Sequence, residues 1–390
     1  MKSKIFFLIP IIILSITYIN TTISNNRDNN HFCNVDNIDI KIKYPPKTSV
    51  KNKTRILSTN NNNEEFKPIQ IYVDKTYLIY QKNNNPLLDS LYSIIINAFE
   101  KCITILNKLF KVKPLQDKID FITDDDLNNW EFNPNYIDSK IKNNGEGISA
   151  DLLILPKFSQ NETIYFDYIE GYPVYFDEST NRPIIGIINI NDKISLNLKN
   201  IDFLLQSILL HELTHILGFL ISLFKLYPGG EANTIIYEQE QRTKVNKGFI
   251  ITPKVVSFGK KYFNCDSLRG VELERGSKDN IADSHWEARI LLGEYMNSDI
   301  YTPEQVISEF TLALLEDSGW YKANYYTGGL MRFGKNQGCI FLNKDCYNYN
   351  SEEVKNDFFK FIDAFQPSCS SGRQSRTYFM MQNSESFYLS

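Results

Sequence analysis

Leu210-His211-Glu212-Leu213-Thr214-His215-Ile216-Leu217-Gly218 is the stretch that decides how this chain is read. The residues around it, Phe203 to Phe219, are strongly apolar and predict a helix. On a helix, positions four apart share a face, so His211 and His215 project together, one turn apart. Two imidazoles so placed can hold one Zn²⁺ with bonds of about 2.0–2.1 Å. Glu212 follows His211 directly, which keeps its carboxylate near the metal without making it a ligand. That is the position of a base acting on zinc-activated water. The alternative is a core helix whose polar residues pair with neighbours. Burying His, Glu and His among Leu205, Ile208, Leu209 and Leu213 costs on the order of several kcal/mol unless all three find partners. A metal satisfies them together.

The residues alone leave the third ligand open. The chain has only 4 His, and the two outside the motif are His31, in a polar segment, and His285. Glu231, Glu238, Glu240 and Glu287 are eligible as acidic third ligands. Gly218, three residues after His215, fits the extended H-E-x-x-H-x-x-G-x-x-H pattern, where Gly ends the helix and lets the chain turn back toward the metal. That pattern expects His at 221, where Ile221 stands. Met296 lies downstream of His285 at a distance suited to a methionine turn beneath a zinc site.

Composition bounds the rest. The 390 residues are 42% hydrophobic and 23% charged, which excludes wholesale disorder and allows more than one packed unit. A net charge of -4 argues against a nucleic-acid-binding protein, which needs a basic footprint. Lys2 and Lys4 followed by an apolar run from Ile5 to Ile19 read as a secretory signal over residues 1–23, with an uncleaved membrane anchor as the alternative. The expected location is therefore extracellular or in the secretory lumen. There disulfides form, and Asn52-Lys53-Thr54 and Asn161-Glu162-Thr163 are glycan acceptors. The C-terminal residues show no lipid-anchor signal.

Residues 24–65 are polar and Asn-rich, and are expected to be a pro-segment or linker that buries no core. Strands are expected at Pro68–Val73, Asp151–Leu155, Tyr172–Phe176 and Pro183–Ile190, with a turn over Asp177–Arg182. Leu87–Phe110 predicts a long amphipathic helix. Tyr301–Asp317 predicts a helix capped by Thr302, with Pro303 at its first position and Gly319 past its end. Pro228–Asp283 reads as loops and short elements.

Together these pieces resemble the leishmanolysin (M8) family of metzincin metalloproteases. Ser284-His285-Trp286-Glu287 with Glu294-Tyr295-Met296 is similar to the family's third ligand and methionine turn. Phe263-Asn264-Cys265-Asp266, Asp317-Ser318-Gly319-Trp320-Tyr321 and Gly334-Lys335-Asn336-Gln337-Gly338-Cys339 resemble its flanking stretches. The resemblance covers roughly residues 66 to 370. It implies an α+β fold: a metzincin-like catalytic domain, with a twisted mixed sheet and an active-site helix. A segment inserted from Phe219 to Ser284 explains Ile221, and a small irregular Cys-containing unit follows at the C-terminus. The implied parts are 66–218 with the zinc helix, 219–326 with the third His and methionine turn, and 327–390.

By the same resemblance His211, His215 and His285 bind one Zn²⁺, Glu212 is the catalytic carboxylate, and Met296 floors the site. Protein or peptide substrates lie along a sheet edge, for which Tyr172, Pro173, Val174, Tyr175 and Phe176 are the candidates. Cys33, in His31-Phe32-Cys33, resembles the cysteine of a zymogen switch; its alternative is half of a disulfide. With Cys33 set apart the Cys number is odd, and Cys102, on the amphipathic helix, is the expected free thiol. The competing functional reading is a secreted binding protein on the same scaffold, with structural zinc and no turnover.

Overall fold

The computed structural model describes residues 36, 38–46, 65–84, 88–159, 169–191, 201–240, 244, 246–276, 282–298, 305–325, 331–343, 367–369 and 376–378, all within one compact unit, His31–Ser390. The expected signal segment 1–23, Cys33, both glycan triplets and Thr302–Pro303 lie outside the described residues. In chain order the first elements are β1 (Lys67–Pro68), β2 (Ile71–Val73), α1 (Thr76–Asn84), α2 (Leu88–Leu109), β3 (Phe110–Val112) and α3 (Asp124–Asn129). There follow β4 (Leu152–Ser159), β5 (Ile169–Phe176), β6 (Pro183–Asn191) and α4 (Ile201–Leu217). The next group is β7 (Ile235–Gln239), β8 (Asn246–Ile250), α5 (Pro253–Phe263), β9 (Val271–Glu272), α6 (Ala288–Leu291) and α7 (Glu309–Asp317). The last are β10 (Tyr321–Ala323), α8 (Gly338–Asn343), β11 (Pro367–Cys369) and β12 (Arg376–Tyr378).

The fold is α+β with mixed pairing. The main sheet has the order β2-β4-β6-β5, with β2, β4 and β6 parallel and β5 antiparallel at the edge. Its central strands read as unbroken apolar runs because both faces are covered. Leu152, Ile154, Ile188 and Ile190 face α2 and α4, while Leu153, Leu155, Ile185 and Ile187 face a second core built on Ile119, Ile122, Leu127 and Ile141. The expected stripe of α2 is buried, including Cys102, a free thiol fully shielded from solvent. Ile201–Leu226 is long and apolar enough to cross a membrane, but 83% of its apolar window is buried inside the protein, as in a core helix.

Three expectations need correction. Pro68–Val73 is not one strand: β1 and β2 belong to different sheets, because the Gln70 amide leaves the ladder to bond Asp151 Oδ2 at 2.8 Å. The helix ending at Asp317 begins at Glu309, and its cap is Ser308, whose hydroxyl accepts the Phe310 amide. Tertiary bonds override the earlier cap signal: Val306 pairs with Tyr295 and Gly293, and the Glu294 carboxylate takes the Ser308 amide and hydroxyl. Gly319 does stand past the end, at φ +78°. The short elements expected in the inserted segment are a hairpin of β7 and β8 and the helix α5. Finally, the polar segment is not free of the core, since Ile38, Ile40 and Ile42 pack against Phe176, Leu220 and Leu223.

Candidate metal centre

α4 places His211, Glu212 and His215 in the most buried part of the chain, each no more than 1% exposed. The helix stops at Leu217 because Gly218 turns at φ +139°. A side chain there is excluded twice, by the backbone angle and by Trp320, whose ring lies 2.7 Å from where a Cβ would sit. The freed carbonyls at this end are satisfied by buried tyrosines: Tyr321 Oη donates to Leu217 O at 2.9 Å and Tyr227 Oη to Gly218 O at 3.2 Å.

His285 arrives from the far end of the insertion. It is held in a short antiparallel pairing, with the Glu274 amide on its carbonyl and Leu273 bridged to Trp286. Trp286 is fixed in turn by its indole N–H on Thr311 Oγ1 at 2.9 Å and its amide on Met296 O at 3.0 Å. Met296 is wholly buried, and its amide bonds the Glu294 carboxylate at 2.5 Å.

The tautomers follow from the acceptors. His211 Nδ1 lies 2.8 Å from Tyr295 O and His215 Nδ1 lies 2.8 Å from Phe219 O. A carbonyl can only accept, so both Nδ1 atoms carry the proton and both Nε2 atoms present lone pairs. Those Nε2 atoms are 3.0 Å apart, and His211 Nε2 is 3.1 Å from His285 Nε2. Two bare lone pairs at that distance repel unless a cation lies between them. Tetrahedral zinc with bonds of about 2.0–2.1 Å would hold its nitrogens about 3.3 Å apart, close to what is seen. His285 Nδ1 is a buried nitrogen without a hydrogen-bond partner of good geometry, the nearest carboxylate oxygen being Asp283 Oδ1 at 3.4 Å. The donor set therefore fits a divalent, nitrogen-preferring metal, and His211, His215 and His285 could hold it.

The local field suits a cation. Burial, and then the charge of His285, holds His211 down to about 3, and burial, then His211 and His285, keeps His215 well below the ordinary imidazole range. Burial also disfavours charge on His285, but Asp283, with Glu274 and Asp36, pushes it up to about 9. Glu212 stands beside the triad, and its Oε2 accepts the Gly171 amide of β5 at 2.7 Å. Tyr172 to Phe176, expected as the substrate edge, lie in the edge strand of the sheet, and it is Gly171, just before them, that touches the candidate base.

The family model described as leishmanolysin (peptidase M8) matches residues 89–385, which takes in His211, Glu212, His215 and His285. The chain belongs to the leishmanolysin family. It is 30% identical over 275 residues to the leishmanolysin-like peptidase of Drosophila melanogaster, covering 59% of this chain and 40% of that protein. It is 30% identical over 207 residues to the leishmanolysin-like peptidase of Caenorhabditis elegans, covering 44% and 31%. Against leishmanolysin of Leishmania chagasi it is 24% identical over 260 residues, covering 66% and 40%. These matches span about a third to two fifths of the length of the curated relatives.

For this member of the leishmanolysin family, the structure brings His211, Glu212, His215 and His285 together, with Gly218 and Met296 on either side. Of the acidic alternatives, Glu231 is exposed, Glu238 pairs with Arg269, and Glu287 caps α6, and the cluster around His211 and His215 is completed by His285. Val174 and Tyr175 are buried in the second core and Phe176 against Leu220 and Leu223, and the Phe176 amide already bonds Lys43 O at 2.9 Å. Sequence reasoning missed the Gly171 amide and the Tyr295 and Phe219 carbonyls, all of which are main-chain groups.

Proposed function

We propose that this protein is a secreted zinc endopeptidase of metzincin type, made as a zymogen. The observation that carries the reading is the convergence of three imidazole Nε2 atoms beside Glu212, at the edge strand of a mixed sheet. When bound, zinc supplies a Lewis acid that activates water and polarises the scissile carbonyl. The chain does the rest. Tyr295 O and Phe219 O orient two of the rings, and Gly171 N–H holds one oxygen of Glu212. Glu212 takes a proton from the attacking water and delivers it to the departing amine. Met296 closes the base of the site. An extended peptide adds to the β5 edge, where main-chain pairing gives affinity irrespective of sequence.

Zymogen character is supported by the segment 38–46, which lies on that edge, and by Asp36, which bonds Ser284 next to His285. Cys33, three residues before Asp36 in the sequence, is the thiol that the switch would use. Export is supported by the expected N-terminal signal, Lys2 and Lys4 before the apolar run Ile5 to Ile19.

The test is elemental analysis together with casein cleavage by the matured protein. Stoichiometric zinc, cleavage abolished by a chelator, and zinc-loaded but inactive Glu212→Gln protein are expected. Zinc without cleavage in a correctly matured sample would refute the reading and leave the binding-protein alternative.

A further inference from the structure

The three histidines are not held alike. His211 and His215 stand on α4, and a carbonyl 2.8 Å from Nδ1 orients each ring. His285 has neither support. It lies outside any helix or strand, and its Nδ1 has no partner closer than Asp283 Oδ1 at 3.4 Å. Its place therefore depends on the residue beside it, Trp286.

Trp286 belongs to a closed ring of buried hydrogen bonds. Its amide donates to Met296 O at 3.0 Å. The Met296 amide donates to Glu294 Oε2 at 2.5 Å. The other carboxylate oxygen, Glu294 Oε1, accepts the Thr311 hydroxyl at 2.7 Å. Thr311 Oγ1 in turn accepts the Trp286 indole N–H at 2.9 Å, which brings the ring back to its start. Trp286, Glu294, Met296 and Thr311 are all 0% exposed. The direction of each bond is fixed, because an indole N–H only donates and a hydroxyl has one proton to give.

A buried carboxylate is unfavourable unless its lone pairs are met. Here four donors meet them, the Met296 amide, the Ser308 amide and hydroxyl, and the Thr311 hydroxyl. Apolar packing in place of such a network is often no less stable. What apolar groups cannot supply is a direction for the indole. That direction matters on both sides of the site. The Trp286 ring meets the Phe219 ring edge-on, with centroids 5.0 Å apart, and Phe219 O is the carbonyl that orients His215. Trp286 thus stands between its sequence neighbour His285 and the acceptor for His215.

We propose that Glu294 and Thr311 are positioning residues of the metal centre. Acting through Trp286, they set where His285 presents its Nε2, and so how tightly the three imidazoles hold a divalent ion. The proposal rests on the metal centre of the peptidase reading, but it is read on metal affinity and not on cleavage. Thr311 is the link that can be cut with the least change of shape: Thr311→Val removes the hydroxyl and Thr311→Ser keeps it.

The experiment measures the zinc dissociation constant of the full chain by competition with a chromophoric chelator, and the d–d absorption of the cobalt-substituted protein. Thr311→Val is expected to weaken zinc binding by about 10–100-fold, the range for groups that orient metal ligands, and to change the cobalt bands. Thr311→Ser stays near wild type in both. Glu294→Gln, which can accept on only one of its two side-chain atoms, weakens zinc as well and carries the same test should Thr311→Val not fold. Leu127→Ala, in the second core, lowers the urea midpoint and leaves the zinc constant near wild type. Wild-type zinc affinity and cobalt bands in folded Thr311→Val, or equal weakening in Thr311→Val and Thr311→Ser, or in Thr311→Val and Leu127→Ala, overturns the proposal. Casein cleavage separates the two readings. Chelator-sensitive cleavage by matured wild type with unchanged zinc affinity in the variants sinks the positioning role alone. Weakened zinc in the variants without cleavage by matured wild type sinks the peptidase reading alone, and a wild type that takes up no zinc sinks both.

Discussion

Gly171 touches the candidate base more closely than any side chain could. Its φ is not in the left-handed region, so an alanine there is opposed by contact alone. A Cβ at this position would lie 2.7 Å from Glu212 O, 2.8 Å from Glu212 Cβ and 3.0 Å from Glu212 C. Two of these are backbone atoms of α4 and cannot rotate away. Carbon atoms rest at about 3.5–4.0 Å, so β5 and α4 must part by about 0.7–1 Å at the base. The 2.7 Å bond from the Gly171 amide to Glu212 Oε2 lengthens beyond useful range, and the carboxylate loses its anchor. Overpacking of this kind costs about 1–3 kcal/mol of stability, and a 1 Å misplacement near the reacting groups costs about 100-fold in rate. The assay is kcat/KM on a fluorogenic peptide at matched zinc content, alongside urea unfolding. Gly186→Ala is the control: its Cβ would meet Ile216 side-chain atoms from 2.5 Å outward, so it loses comparable stability while activity per folded molecule stays near wild type. Wild-type kcat/KM in Gly171→Ala, or equal losses in both variants, would show that the strand does not position Glu212.

Glu294 is fully buried, and burial raises it from the ordinary 4.5 to about 7 against the bonds from Thr311, the Met296 amide and Ser308. The folded state holds this proton more tightly, so its stabilising contribution is complete below about 4.5 and is lost as pH rises through about 7, on the order of 3 kcal/mol in all. In urea melts the wild type should lose that much more than Glu294→Gln between pH 5 and 8; parallel pH profiles would contradict it. Met296→Leu, a swap of similar volume, should cost less than about 1.5 kcal/mol and keep zinc bound, because Met296 is tied to Trp286 and Glu294 through its own carbonyl and amide. Loss of zinc on elemental analysis would show that the thioether is needed. The Cys265–Cys339 bridge closes a separation of 74 residues, so Cys265→Ser with Cys339→Ser should cost about 4 kcal/mol in the loop-closure account; an unchanged urea midpoint would refute it.

What was legible in the sequence was whatever local chemistry writes down. α4 announced itself because apolar periodicity and the spacing of its two histidines agree on one helix. His285 did not: the residues alone left four glutamates eligible beside it, and only the resemblance singled it out. The reason is physical, since the partners that hold His285 in place, at Leu273–Glu274 and at Met296, are distant in sequence and mostly main-chain. The polar segment was misread for a different reason. Averaged over residues 24–65 the composition is polar, and averaging erases a period of two confined to Ile38–Lys43. The start of α7 was misplaced because its cap, Ser308, is fixed by the Glu294 carboxylate through bonds that no local window contains.

Gly218 shows how a visible residue can act through an invisible one. It ends α4, and for that role it was recognisable beside His215. Its turn also brings the carbonyl of Phe219 back over the helix to within 2.8 Å of His215 Nδ1. Any residue at 219 could supply that carbonyl, so nothing in the side chain marks the role. Yet the carbonyl settles which nitrogen of His215 is bare, and therefore whether the ring can face a metal at all. Tyr295 O does the same for His211 from the methionine turn. The ligand set is thus written in side chains while its protonation state is written in backbone geometry, and the glycine is where the two meet.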